Sequence, residues 1–241
     1  MRLARAGFAF LFGAAFSLSG CATLQKAVDA SMASLPPDRS EIVSGLKEAL
    51  RTGTGKSIGT LSQKDGFWGS SAHKILFPPE ALEAERRLRQ LGFSKLCDDA
   101  ILSFNRAAEA AVPLARTIFV GAITRMTFAD AMTILRGKNH EATDYFKAQT
   151  ATELTRAFRP HVRDSLAKVD ATRYWDQATA AYNKIPLSKP IQTDLTGYVT
   201  ERALTALFAN IASFEASIRA HPMERTSDLL RRVFGYADTL R

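Results

Sequence analysis

The sequence predicts an all-α fold: one globular domain of about eight to ten helices behind an N-terminal leader and a short tether. Three observations lead there. From Ser40 onward, apolar residues recur at the 3.6-residue period of a helix that buries one face. No stretch sustains the period-two alternation of a half-buried strand. Pro, Gly and Ser/Thr/Asp stand at the ends of the periodic segments, where helices start and stop.

Residues 1–20 form the leader. Arg2 and Arg5 precede a thirteen-residue run without charge, residues 6–18. A helix of that length spans about 20 Å, short of the roughly 30 Å hydrocarbon core of a bilayer. A basic start, a short apolar run and small residues after it make a secretory signal peptide. Leu18-Ser19-Gly20-Cys21 is similar to the lipobox of bacterial lipoproteins, which implies cleavage before Cys21 and acyl chains on that cysteine. Several chains at about 0.8 kcal/mol per methylene anchor a protein stably. Ala22 follows, with no aspartate there. By resemblance to sorted lipoproteins, this implies the periplasmic face of the outer membrane. Residues 21–38 then form a tether of small and polar residues closing on Pro36-Pro37. No later segment is expected to be long and apolar enough to span a membrane.

Residues 39–241 carry the helices. Ser40 is expected to cap a first helix over 41–51, and residues 52–78, with five glycines, to be irregular. Pro79 opens and Gly92 closes the next helix, 79–91. The clearest amphipathic segment is 94–111, with Leu96, Cys97, Ala100, Ile101, Phe104, Ala107, Ala108 and Ala111 on one stripe. A short apolar helix runs from Pro113 to residue 123. Thr127 with Asp130 caps a helix that stops at Gly137, and Thr150 with Glu153 is a capping box separating 140–149 from 151–169. A helix over 171–184 ends before Pro186 and Pro190. The last long one, 197–220, buries Leu204, Leu207, Phe208, Ile211, Phe214 and Ile218; Pro222 interrupts it, and a final helix, 226–234, ends at Gly235.

Composition excludes several classes. With 46% hydrophobic residues and only 14 Gly and 9 Pro in 241, the chain is neither a disordered polyelectrolyte nor low-complexity. Two cysteines exclude a disulfide scaffold and four-thiolate zinc sites. The formal charge of +8 becomes +6 once Arg2 and Arg5 leave with the leader. That mild basicity is expected to face phospholipid headgroups, and no nucleic-acid partner is expected.

No catalytic set, metal site or cofactor is expected. Gly53-Thr54-Gly55-Lys56-Ser57 contains the GKS of a P-loop, but Leu50 stands where its first glycine belongs and a helix, not a strand, precedes it; a flexible glycine-rich helix exit is expected instead. The four histidines, His73, His140, His161 and His221, include no i, i+4 pair; His140 with Asp144 makes two ligands at most. Cys97 lies on an apolar stripe and is expected to be buried and inert. Two polar groupings and one aromatic pair are the candidate binding residues. Asp98, Asn105 and Glu109 share a stripe with Arg106 beside Glu109, for which a solvated face is the plain alternative. Glu215, Arg219 and Arg225 surround the corner at Pro222, as a structural clamp or an anion site. Phe67 and Trp68 form an aromatic tip between Gly66 and Gly69, which folds back on the core or meets a membrane, ligand or partner.

Several separated motifs resemble one family. They are Gly45-Leu46-Lys47-Glu48-Ala49-Leu50, Phe104-Asn105-Arg106-Ala107-Ala108-Glu109-Ala110-Ala111, Ala142-Thr143-Asp144-Tyr145-Phe146, Gly197-Tyr198-Val199-Thr200, and Ile218-Arg219 followed by Pro222 and Arg225-Thr226. Over about residues 40–236 the chain is similar to the bacterial envelope proteins grouped as domain of unknown function 4197. It departs from their pattern at Phe104, Phe214 and His221, where methionine, an acidic residue and asparagine stand. The resemblance implies a helical envelope protein, often a lipoprotein, and brings no activity or catalytic residue. The expected function is a non-enzymatic binding module for an envelope protein or lipid-like ligand. The alternatives are an envelope hydrolase using Asp98, Glu109, Glu215 or Arg219, and a purely structural protein.

Overall fold

A computed structural model describes residues 36–168, 170–184 and 194–240. The expected leader, Cys21 and most of the expected tether lie outside the described residues, as do Pro186 and Pro190. Every ordered element among them is helical: α1 (Arg39–Leu61), α2 (Leu82–Gln90), α3 (Ser94–Ala111), α4 (Ala115–Arg125), α5 (Phe128–Arg136), α6 (Glu141–Lys168), α7 (Ala171–Asn183), α8 (Leu195–Ala220) and α9 (Asp228–Thr239). Short 3-10 turns at Pro79–Ala81, Val112–Leu114 and Pro222–Glu224 lead into or out of them, each carrying a proline in its first turn. Pro37–Arg241 forms one compact unit with its own core.

Helix α1 begins at Asp38, not Ser40. Asp38 Oδ1 accepts the Glu41 N–H at 2.8 Å and Glu41 Oε2 accepts the Asp38 N–H at 2.8 Å, a reciprocal capping box that also puts an acid at the positive end of the helix dipole. The helix then runs ten residues beyond the expected stop, straight through Gly53, Gly55 and Gly59. The glycine-rich run is thus neither an exit nor a phosphate loop: Thr54 Oγ1 and Ser57 Oγ turn back to the carbonyls of Leu50 (2.7 Å) and Gly53 (2.8 Å). Two glycines are there for close packing. A Cβ on Gly45 would lie 2.7 Å from Val233 Cγ2, and one on Gly53 2.5 Å from Phe214 Cδ1, so α1 approaches α9 and α8 through its glycines. Gly55 meets nothing within 4 Å.

Helices α6 and α8 form an antiparallel spine, joined at one end by Arg159 and Asp194 (2.6 Å) and at the other by Glu215 against Ala142 and Thr143. Helices α1, α4, α5 and α9 pack together on one part of it, and α2, α3 and α7 form a second group. Phe119 of α4 ties the first group to the spine, its ring 5.4 Å from Phe146 of α6 and 6.1 Å from Phe208 of α8. The Thr150 capping box does not form. Thr150 is fully buried and donates to Phe146 O at 2.6 Å, so α6 is one 28-residue helix with Pro160 inside it. Likewise α9 passes through Gly235 and is capped by Ser227, whose Oγ accepts the Leu230 N–H at 3.1 Å. Thr127 and Asp130 make the expected capping box, and α3 has its expected bounds.

One expectation about membranes changes. The stretch Ser94–Arg125 is, by length and a mean hydropathy of 1.3, apolar enough to cross a bilayer. It is broken by the turn at Val112–Leu114, and 56% of its most apolar window is buried in the domain. Its hydropathy is that of two core helices in tandem.

The glycine contacts predict opposite outcomes for one chemical change. Gly45→Ala is expected to cost about 1–3 kcal/mol through overpacking against Val233. Gly55→Ala, in open space mid-helix, is expected to stabilise by about 0.5–1 kcal/mol. Urea denaturation of the two variants checks both signs.

Candidate functional site

Residues 62–78 form no regular helix, yet α3 reaches up to pair backbone groups of Phe67, Trp68 and Ile75. Asn105, fully buried, lays its side-chain amide against the backbone of Ile75. Its Oδ1 accepts the Ile75 N–H at 2.9 Å, and Nδ2 donates to Ile75 O at 2.9 Å and to Ile101 O at 2.7 Å. One turn along, Glu109 Oε1 accepts the N–H groups of Phe67 (3.1 Å) and Trp68 (3.4 Å). Its other oxygen accepts Arg106 Nη1 at 2.7 Å, and Arg106 Nη2 reaches Asp65 at 2.6 Å, a residue held in the left-handed region at φ 70°. We call this segment the strap. The polar stripe expected on α3 therefore divides. Asn105 and Glu109 are buried clamps and not a solvated face, while Asp98 stays exposed and pairs with Arg89 at 2.9 Å.

Phe67 folds back on the core, its ring fully buried. Trp68 is half-buried, with Lys74 Nζ 3.4 Å above its ring. Phe77, at the far end of the strap, packs 6.0 Å from Phe104 and 5.5 Å from Trp175 of α7. From the side, α8 completes the hold. Tyr198 donates to Leu76 O at 3.1 Å, and burial raises its phenol pKa. Asn210 Nδ2 contacts His73 Nε2 at 2.8 Å while donating also to Ala206 O at 3.1 Å. An amide nitrogen only donates, so His73 accepts at Nε2 and is neutral. Burial, and then the charge of Arg202, hold its pKa below the ordinary 6.5.

The second polar group is the clamp at the Pro222 corner. Glu215 accepts the Ala142 N–H (2.9 Å), the Thr143 N–H (2.9 Å) and the Thr143 hydroxyl (2.8 Å), capping α6 from another helix. It also accepts Arg219 Nε and Nη2 at 3.0 and 2.8 Å, and Nη2 donates onward to Ile134 O near the end of α5 at 2.8 Å. Arg225 donates to Ile218 O and Arg219 O at the end of α8 and pairs with Asp238 at 2.8 Å. All three side chains are at least nine-tenths buried and aimed at protein, not at an external anion.

Between these clamps lies an open groove of about 1460 Å³. The exposed ridge of α8, with Tyr198, Arg202, Thr205 and Ala209, forms its floor; α6 flanks it with Asp144, Lys147, Ala151, Thr155 and Arg159, and the strap and the turn after it with Leu76, Pro79 and Leu82. Leu76 and Leu82 are 49% and 45% exposed, unusual for residues of their type. Asp194 anchors the open end: the Gly197 N–H, and then Arg159, hold its carboxyl below the usual range. By contrast, the apolar cavity beside Glu215 and Arg219 measures about 20 Å³. None of the clamp residues lines the groove floor; sequence reasoning missed the groove because it exists only where α6, α8 and the strap meet.

The candidate carboxylates do not converge on the groove. Asp98, Glu109 and Glu215 serve three different elements. Among the described residues, no group of three or more His, Cys, Asp or Glu side chains could hold a metal ion. Cys97 is fully buried, which pushes its thiol up to about 11, far from a nucleophile's range.

Fold and site together define an all-helical scaffold whose buried polar residues serve its own backbone and whose surface opens one broad groove. The chain belongs to the family described as Protein of unknown function (DUF4197), whose model matches residues 37–235. No curated protein and no solved structure matches it.

Asn105→Ala is expected to strand both polar groups of Ile75 and to cost roughly 2–4 kcal/mol. Limited trypsin digestion should then cut first at Lys64 and Lys74, where the parent chain resists. A second expectation concerns pH. His73 has a lowered pKa, so its contribution is complete above 6.5 and is lost as pH falls through the lowered value. Protonation turns Nε2 into a donor facing a donor, and trypsin sensitivity at Lys74 should rise as pH falls from 6.5 through that lowered value in the parent but stay flat in His73→Gln.

Proposed function

We propose that this protein is a non-enzymatic interaction module that holds a segment of another envelope protein in the groove along α8. Acyl chains on Cys21 would keep it at the periplasmic face of the outer membrane. The observation that carries this reading is the groove itself. It is open and floored by Tyr198, Arg202, Thr205 and Ala209, with exposed Leu76 and Leu82 on one wall and charges of both signs, Asp144, Lys147 and Arg159, on the other. Such a surface suits an amphipathic peptide segment, which presents one apolar and one polar side. A lipid-like ligand is less well supported. An acyl chain needs an apolar space that runs the length of many methylenes, and the cavity beside Arg219, at about 20 Å³, has room for only about one or two waters. The hydrolase reading lacks a shared cleft for its carboxylates.

Site-specific photocrosslinking in cells tests the proposal. A benzophenone amino acid at Thr155 or Thr205, both exposed in the groove, should yield one discrete protein adduct, and the same group at exposed Thr117 of α4 should not. No adduct from the groove, or the same adduct from Thr117, overturns the groove. In a parallel arm, Cys21→Ser should lose its acyl mass and leave the membrane fraction; if it stays bound there unchanged, the anchor is overturned.

A further inference from the structure

Besides Leu76 of the strap, a pair of large apolar residues faces outward at another corner. Leu91 and Phe93, 61% and 44% exposed, flank Gly92 at the corner between α2 and α3. The corner is locked. Gly92 takes φ 90°, its N–H donates to Arg89 O at 3.1 Å, and the Phe93 N–H donates to Leu88 O at 2.9 Å, the paired bonds of a helix stop built on glycine. The Cys97 N–H then returns to Phe93 O at 3.2 Å. The backbone therefore holds two large apolar side chains outward, with little conformational freedom left to lose on contact.

The charges around this corner cancel. Arg86 and Arg87 pair with Glu83 (both 2.8 Å), Arg89 with Glu85 and Asp98 (2.8 and 2.9 Å), and Lys95 with Asp99 (2.7 Å). Four cations meet four anions, so the rim has no net charge to offer a charged partner. The two side chains expose on the order of 200 Å² together, well below the roughly 1,000 Å² of a specific protein interface. A bilayer interface asks for no matching shape, only for apolar side chains that reach it and charged stems long enough to keep their heads in water.

We propose that the Leu91-Gly92-Phe93 corner is a membrane-contact point that inserts into the headgroup region of a zwitterionic bilayer and orients the domain on it. This rests on the anchored reading, because two side chains hold a free protein only weakly. The eighteen residues from Cys21 to Asp38 reach at most about 60 Å when extended, which keeps the domain within contact distance of its own membrane.

The test replaces the acyl anchor, so that its failure and the failure of acylation at Cys21 stay distinguishable. The unit Pro37–Arg241, with an N-terminal hexahistidine tag, is held on phosphatidylethanolamine–phosphatidylcholine vesicles containing nickel-chelating lipid. Phe93→Trp should shift its emission to the blue and be quenched about twofold more than the parent chain, with Trp68 and Trp175, when the phosphatidylcholine is brominated in its upper acyl chain. Leu91→Asp in the same background should abolish that excess, with an unchanged melting temperature because Leu91 is exposed. Quenching of Phe93→Trp no greater than the parent's, or unaffected by Leu91→Asp, overturns the proposal.

Discussion

The Glu215 carboxylate is the point on which several elements turn. Taking a charge out of water costs several kcal/mol unless hydrogen bonds replace the lost hydration. Glu215 meets that condition with five donors: two amides and a hydroxyl from the first turn of α6, and two guanidinium nitrogens of Arg219. The same contacts tie the N-terminus of α6 to α8, and through Arg219 to the end of α5. Arg225 then collects the last carbonyls of α8 and fixes the departure of α9. Three helix ends that would otherwise carry unpaired backbone groups in the interior are met by three residues within eleven positions of each other. Removing one member leaves the rest buried and unpaired, so the three act as a unit.

A similar logic shapes the groove. The α6–α8 spine supplies floor and one wall, and both are helical. The other wall is chain that makes almost no secondary structure of its own; its order comes from Asn105 and Glu109 below and Tyr198 and Asn210 beside it. The residues most conspicuous in the sequence thus create the surface without facing it.

What was legible in the sequence follows from the range of the interactions. Helix α3 has its apolar stripe in one continuous segment, and Thr127 and Asp130 cap α5 from three residues apart, so both could be read locally. Gly53 could not, since its locally breaking character gives way to the need for space beside Phe214, far along the chain. Thr150 has the spacing of a cap, but its hydroxyl turns back to Phe146 because apolar packing on both sides keeps α6 continuous. For the site, the spacing of Asn105, Arg106 and Glu109 marked them as one face, while their partners, Ile75, Asp65 and Phe67, lie about 30 to 42 positions away. Phe67 and Trp68 look like an exposed tip when only neighbouring glycines are considered; the carboxylate that draws their amides inward is on another helix.

The dependence of the strap on α3 has a thermodynamic consequence for anything that binds in the groove. A ligand resting on Leu76 and Leu82 recognises only the clamped arrangement, so its apparent dissociation constant equals the intrinsic one divided by the clamped fraction. By linkage, occupancy must raise that fraction and be felt at Phe77 and, through its ring contacts, at Phe104 and Trp175. The aromatic cluster joining α3 and α7 thereby becomes an internal reporter of an event on the surface, and Trp175 gives it an intrinsic fluorescence.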